Sequence, residues 1–547
     1  MSLAASAAGL LLAAALLAPL ALAAACLSRA VRTRMPGLLW LAPMPALLAA
    51  GLLPAGTDIA FPVPFRMALA LDQPGALLLG GAALLWSAAG VYAASYLRGK
   101  PGLTGFCVWW LLTLAGSLGV LIVADIAGFY LLFTLASLSA YGLVAHEQTD
   151  AARRAGLVYM VLELLGEAFL LFAFVMLAAG QPDPNPLIRD AVAALPGSPM
   201  RDGIVALLML GFALKMGLIP LHVWLPLAHP AAPMPASAVL SGVLVKAGVI
   251  GLIRFLPFDA ALPAWGTVLA TAGILTAFGG AALGVAQRRP KTILAYSTVS
   301  QMGLVAAILG AGLAAGDASA PGLAAYYGVH HTLVKGGLFL AVGVAFASGG
   351  SRRWPVLLLT GLLALSLAGL PLTSGALAKL AVKPMLGYGV LSIAVSLAAA
   401  GSTMLMLHFI AIMVRETADN PPSSAPPGET LPWLAVAAAS LLIPWWLYPA
   451  LSGEAFASAW SLPSLWKLVW PMMLGVVVFM ATVRFAGLAG RVPEGDILVL
   501  AERQAPRLAR LPAAIERLDG RLRLWPVAGL VLLGVVIWLG GGFLLAA

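Results

Sequence analysis

Apolar residues run along this chain in stretches of about twenty, separated by short segments that hold most of its charges and many of its prolines. A stretch of that length crosses a hydrocarbon core of ~30 Å as a helix, and a helix satisfies its backbone hydrogen bonds within itself. No sustained alternation of apolar and polar positions suggests the strands of a barrel. The pattern predicts an all-α polytopic membrane protein of about sixteen spans, near 3–26, 37–56, 73–97, 103–123, 125–145, 155–179, 204–224, 233–254, 262–286, 292–314, 322–348, 355–385, 388–414, 431–450, 465–487 and 525–546. The first span lacks a basic amino end and precedes Arg29, Arg32 and Arg34, so it reads as a retained span and not a cleaved leader.

Two spans are interrupted. "KMGLIP" (215–220) and "AGLPLTSG" (368–375) set glycine and proline at mid-membrane depth, with Gly217 and Pro220 in the seventh span and Gly369 and Pro371 in the twelfth. Such breaks free backbone groups and are tolerated where they line a protein-walled polar interior. After the fifteenth span, Leu508, Leu511, Ile515, Leu518, Leu522 and Trp525 form the apolar stripe of an amphipathic helix expected on the membrane surface. "NPPSSAPPGE" (420–429) is a linker.

Composition excludes a soluble globule, since 62% of positions are hydrophobic and only 10% charged. Cys26 and Cys107 match neither a disulfide framework nor zinc or iron–sulfur spacing, so no metal and no cofactor is expected, and any electron transfer would belong to partner subunits. With loops assigned alternately to two sides, about 21 of the 31 basic residues fall on one side and about 5 on the other. The basic side holds Arg32, Arg98, Arg153, Arg288, Arg352, Arg415 and the segment 484–523, which places both termini on the non-cytoplasmic face of a bacterial inner membrane. The net charge of +10 therefore reports topology, and no nucleic-acid partner is implied.

The cations are segregated by type. The chain has 23 arginines and 8 lysines, yet Lys215, Lys246, Lys335, Lys379 and Lys383 fall inside spans while every arginine fits a loop or a span end. An intramembrane cation is costly; arginine stays charged, whereas lysine can give up its proton. The segregation points to proton exchange. Lys383, beside Pro384, also suits snorkelling to the interface. Among the carboxylates, only Glu163 and Glu167 lie deep in a span. Their spacing of four puts them on one helix face, as it does His331 with Lys335 and Lys379 with Lys383. These pairs read as steps of a polar path through the bundle.

The run "LKMGLIPLHVWLPLAHPAAPMPASAVLSGVLVKAGVIGLIR" (214–254), with "KTILAYSTVSQMGLV" (291–305), "HHTLVKGGLFLAVG" (330–343) and "GLPLTSGALAK" (369–379), resembles the proton-conducting antiporter-like membrane subunits. These include the large membrane-arm subunits of respiratory complex I, Mrp antiporter subunits, and their counterparts in energy-converting hydrogenases and formate hydrogenlyase. The resemblance covers roughly 100–415. It implies two inverted five-helix repeats, at 101–256 and 257–418, with flanking helices at 1–100 and 430–490 and a surface helix plus final span at 491–547. It also implies that Lys215 is the lysine of the broken seventh helix, Lys246 the relay of the eighth, His331 and Lys335 the polar pair of the eleventh, and Lys379 the exchanging residue of the twelfth. His222 and His229 read as structural.

Three positions depart from that pattern: Thr134 stands where the fifth helix usually carries a glutamate, Arg289 replaces an acid, and Leu380 follows Lys379 where an aspartate is common. One of Glu163 and Glu167 is then expected to replace the missing acid beside Lys215, with Glu167 favoured as nearer mid-span. The leading expectation is a proton-translocating subunit of a multi-subunit membrane oxidoreductase, without a catalytic centre of its own. Its partners would be other membrane subunits and peripheral redox subunits. The alternatives are an Mrp-type cation/proton antiporter subunit, which could carry sodium, and a non-pumping structural anchor.

Overall fold

The computed structural model describes residues 3–60, 67–183, 185–387, 389–484, 492–493 and 497–499. The predicted amphipathic helix at 508–525 and the last predicted span lie outside the described residues. Met1–Glu494 forms one compact unit, to which the following description applies.

Its principal helices are α1 (Leu3–Ala25), α2 (Met44–Leu52), α3 (Gln73–Tyr96), α4 (Leu103–Gly119), α5 (Ile126–Val144) and α6 (Asp150–Ala179). There follow α7 (Arg201–Met216), α8 (Trp224–Ala231), α9 (Met234–Phe255), α10 (Pro263–Val285), α11 (Pro290–Ala315) and α12 (Ala320–Phe346). The series closes with α13 (Arg353–Ala368), α14 (Ser374–Leu386), α15 (Val390–Glu416), α16 (Pro427–Ser452) and α17 (Leu462–Arg484). Among the described residues, 12 helical segments are long and apolar enough to cross a membrane. α4 is shorter, and α7–α8 and α13–α14 are each two half-helices.

One feature departs from the all-helical pattern. Thr57–Ala60 (β1) pairs antiparallel with Ala68–Leu71 (β2), with Thr57 opposite Leu71 and Ala60 opposite Ala68. These strands have only four residues each, too short for alternation to register in the sequence. The hairpin is pinned at a helix start: Asp125, the N-cap of α5, accepts from Gly128 N at 2.7 Å and from Ala68 N at 2.8 Å. Close by, Asp72 caps α3 by accepting from Gly75 N, and it pairs with Arg254 at 2.9 Å. Arg254 also donates to the carbonyls of Val120, Leu121 and Val123, so one guanidinium at the end of α9 holds the α4–α5 turn.

Burial identifies the centre of the bundle. α9 is buried along its whole apolar window, α12 over 89% and α11 over 83%, against 17% for α17. α10 packs on α11 through glycines that let the backbones touch: a Cβ at Gly273 would meet Ala307 N and Gly303 O at 2.5 Å. Of these three central helices, α9 carries Lys246 and α12 carries His331 and Lys335.

Candidate functional site

Lys215 occupies the last turn of α7, which stops because Gly217 takes the left-handed conformation (φ 72°) that residues with a Cβ disfavour. Leu218 N donates to Ala213 O, and Ile219 N to Thr276 Oγ1 of α10, so the freed backbone groups find partners. Trp224 Nε1, opening α8, donates to Leu214 O and locks the two half-helices together. Lys215 itself is 1% exposed. Its Nζ lies 2.8 Å from Glu163 Oε2 on α6 and donates to Ser137 Oγ on α5 at 2.8 Å. The rings of Phe133 and Tyr159 stand 5.1 and 5.9 Å from the ammonium. A charge removed from water this completely needs an opposite charge and hydrogen bonds, and Lys215 has both.

The acid that meets Lys215 is therefore Glu163, and the expectation that favoured Glu167 is corrected. The two differ by about one helical turn, ~5.4 Å along the axis, and the rotation of α6 against α7 decides which reaches the amine. Glu167 is buried against Thr134 and Ser137, with its Oε1 lacking a hydrogen-bond partner among the described residues.

The second station lies in α9, where the helix widens to a π turn at Leu240–Leu244. A π turn leaves carbonyls poorly paired within the helix. Here Thr332 Oγ1 donates to Gly242 O at 2.7 Å, and Lys246 Nζ reaches Ser241 O at 3.4 Å. Lys246 also hydrogen-bonds His331 Nδ1 on α12. Lys335, one turn beyond His331 and 0% exposed, donates to Leu294 O of α11 at 2.9 Å.

The third station is the break between α13 and α14. Gly369 (φ 102°) ends α13, with Leu370 N donating to Leu365 O. Lys379, on α14, donates to Ala368 O, the last carbonyl of α13. Both breaks thus hold a lysine, but the first is paired with a carboxylate and the second only donates to a backbone carbonyl.

The i, i+4 pairs of the sequence do not bond to one another. Each member takes a different partner: Glu163 the lysine and Glu167 the α5 hydroxyl face, His331 the Lys246 amine and Lys335 a carbonyl, Lys379 a carbonyl and Lys383 the hydroxyl of Ser396 at 3.0 Å. Groups that sequence reasoning missed fill the gaps. His330 Nδ1 lies 3.1 Å from Ser374 Oγ, which lies 3.1 Å from Ser366 Oγ, a polar link from α12 into the second break. Tyr327 donates to Gln301, and Gln301 to Ser402. Hydroxyls and carbonyls leave no compositional trace, and His330 was hidden by its neighbour.

A polytopic helical protein with buried lysines beside two mid-membrane breaks is a membrane protein built around a polar interior. Residues 124–407 match the family described as NADH:quinone oxidoreductase/Mrp antiporter, TM, and the chain belongs to it. It is 34% identical over 310 residues to NADH-quinone oxidoreductase subunit N of Desulforudis audaxviator (strain MP104C), covering 54% of this chain and 59% of that one. It is 29% identical over 299 residues to hydrogenase-4 component B of Escherichia coli (strain K12), covering 52% and 44%. The chain thus spans about half the length of these curated relatives. Its fold is similar to a chain in the structure of the Mrp complex from Dietzia sp. DQ12-45-1b, with a TM-score of 0.75 at 24% identity over 99% of this chain and 63% of that one.

Proposed function

We propose that this chain is a proton-translocating subunit of a multi-subunit membrane oxidoreductase. Protons would move along Lys215, Lys246, His331, Lys335 and Lys379, with energy supplied by redox partners. The observation that carries this reading is a set of three buried lysines and the half-buried Lys379, each on a different hydrogen-bond acceptor, strung between two broken helices. A lysine amine exchanges a proton with a neighbouring imidazole or through hydroxyls, and local rearrangement of its partner sets when it does so. The Glu163–Lys215 pair is a switch of this kind: separating the charges frees the amine to give up its proton, and restoring the pair recharges it.

In this reading residues 101–256 and 257–418 are two repeated units, each with its own break, and the basic loops face the cytoplasm. Relatives named for sodium/proton antiport, one of them from Bacillus subtilis (strain 168), support membership of an antiporter complex as the second reading. To test the first, the complex containing this chain is purified with its partners and reconstituted in liposomes. Redox turnover should acidify or alkalinise the lumen, and Lys215→Ala or Lys379→Ala should remove that signal while leaving assembly intact. Pumping at the wild-type rate in both variants would leave the chain a structural anchor. Ion exchange without any redox activity in the purified complex would favour the antiporter.

A further inference from the structure

Lys379 borders a cavity of about 30 Å³, enough to hold a water. Three lysines from two helices line it: Lys379 and Lys383 of α14 and Lys467 of α17. Gly369, at the break, and Tyr327 and Ser396 are also in the wall. Among the described residues no aspartate or glutamate lines it, and none of the three lysines is ion-paired. Lys379 donates to a carbonyl and Lys383 to a hydroxyl, so neither charge is cancelled. The other end of the axis is the opposite, for there two carboxylates, Glu163 and Glu167, flank a single lysine.

We propose that this cavity is a cation-excluding outlet of the axis, in which Lys383 and Lys467 reject alkali metal ions while protons pass through Lys379. The inference rests on the translocation reading above. A proton crosses a lysine by exchange: the amine releases one proton and takes another, and the ammonium charge is never exceeded. A sodium ion has no such step. It must enter as an added charge beside two or three ammonium groups, where the low dielectric strengthens repulsion. The carboxylate-rich station at Lys215 would attract sodium and cannot supply this selectivity. Discrimination therefore falls to the lysine end. Lys467 stands on the exposed face of α17, beside Trp466 at 62% exposure and Leu462 at 80%, and Lys383 is half-buried, so Lys467 is the outermost of the three charges.

The test uses the complex purified with its partners and reconstituted in liposomes, with lumenal pH and radioactive sodium uptake followed together. Wild type should move protons at a rate indifferent to sodium and take up sodium only at the slow background rate of protein-free liposomes. Lys383→Gln with Lys467→Gln should admit sodium, raising uptake about tenfold or more over wild type, as removal of two like charges from a confined site implies. Lys383→Arg with Lys467→Arg, which keeps both charges, should exclude sodium as wild type does. Sodium carried by wild type, or a double glutamine variant as tight to sodium as wild type, would overturn the outlet. Should the double variant fail to assemble, Lys467→Gln alone decides, because that side chain is exposed and its packing is dispensable: unchanged sodium exclusion would count against the proposal. Failure of the underlying reading looks different, as Lys379→Ala would then pump protons normally.

Discussion

At the scale of residues, the site is defined by which acceptor each buried lysine finds. Lys215 has a carboxylate and a hydroxyl, Lys335 and Lys379 have carbonyls, and Lys246 has an imidazole and a carbonyl. Glu163→Gln strands the Lys215 ammonium without a counter-charge, and breaking a buried pair from one side costs roughly 3–5 kcal/mol. Its melting temperature in detergent should fall, whereas Glu167→Gln should melt near wild type because Glu167 has no ion pair to lose among the described residues. Adding Lys215→Met to Glu163→Gln should recover most of the lost stability without recovering translocation. Equal melting of the two glutamine variants would contradict the pairing seen here. That lysines would sit inside the bundle was legible in the sequence, because 8 lysines amid 23 arginines were concentrated in spans. Which carboxylate served Lys215 was not, since it depends on how one helix is rotated against its neighbour.

At the scale of elements, the breaks and the π turn set the geometry. Gly369 holds a left-handed φ of 102°, and a Cβ there would meet Lys379 Cδ and Nζ at 2.9 Å. Gly369→Ala therefore adds backbone strain of about 1–2 kcal/mol and pushes Lys379 off the Ala368 carbonyl. Translocation should fall well beyond what the change in stability explains, and a variant pumping at the wild-type rate would contradict this. Thr332→Val is isosteric and withdraws the donor from Gly242 O in the π turn. An unpaired buried carbonyl costs about 1–3 kcal/mol, so the variant should melt lower, and Lys246 should lose activity as its turn relaxes. Glycine and proline at mid-span made both breaks readable from sequence, whereas nothing in "LSGVL" marks a π turn. The four-residue strands of the hairpin were equally invisible, being shorter than any window in which period two can be recognised.

At the scale of the compact unit Met1–Glu494, the two breaks differ in charge: Glu163 and Glu167 stand by the lysine of the first, and among the described residues three lysines and no carboxylate line the cavity at the second. Arg254 shows a structural use of cationic charge by contrast, since it ties the end of α9 to Asp72 and to three carbonyls of the α4–α5 turn. Arg254→Met should destabilise the protein by about 3 kcal/mol or more, as several buried carbonyls lose their donor together. Asp72→Asn should cost less, because that carboxylate is 43% exposed. Arg254 at an anchoring position and Lys215, Lys246 and Lys335 in the interior follow the segregation of the two cations in the sequence.

The central claim is that buried lysines carry protons by exchanging them and do more than supply positive charge. Arginine substitution at Lys215, Lys246, Lys335 and Lys379 tests this most directly, since arginine keeps the charge and does not release its proton. In proteoliposomes of the assembled complex, each lysine-to-arginine variant should retain assembly and lose proton translocation at least tenfold, as far as the corresponding alanine variant does. Arginine variants that pump like wild type while alanine variants do not would show that fixed charge suffices, and would contradict the account.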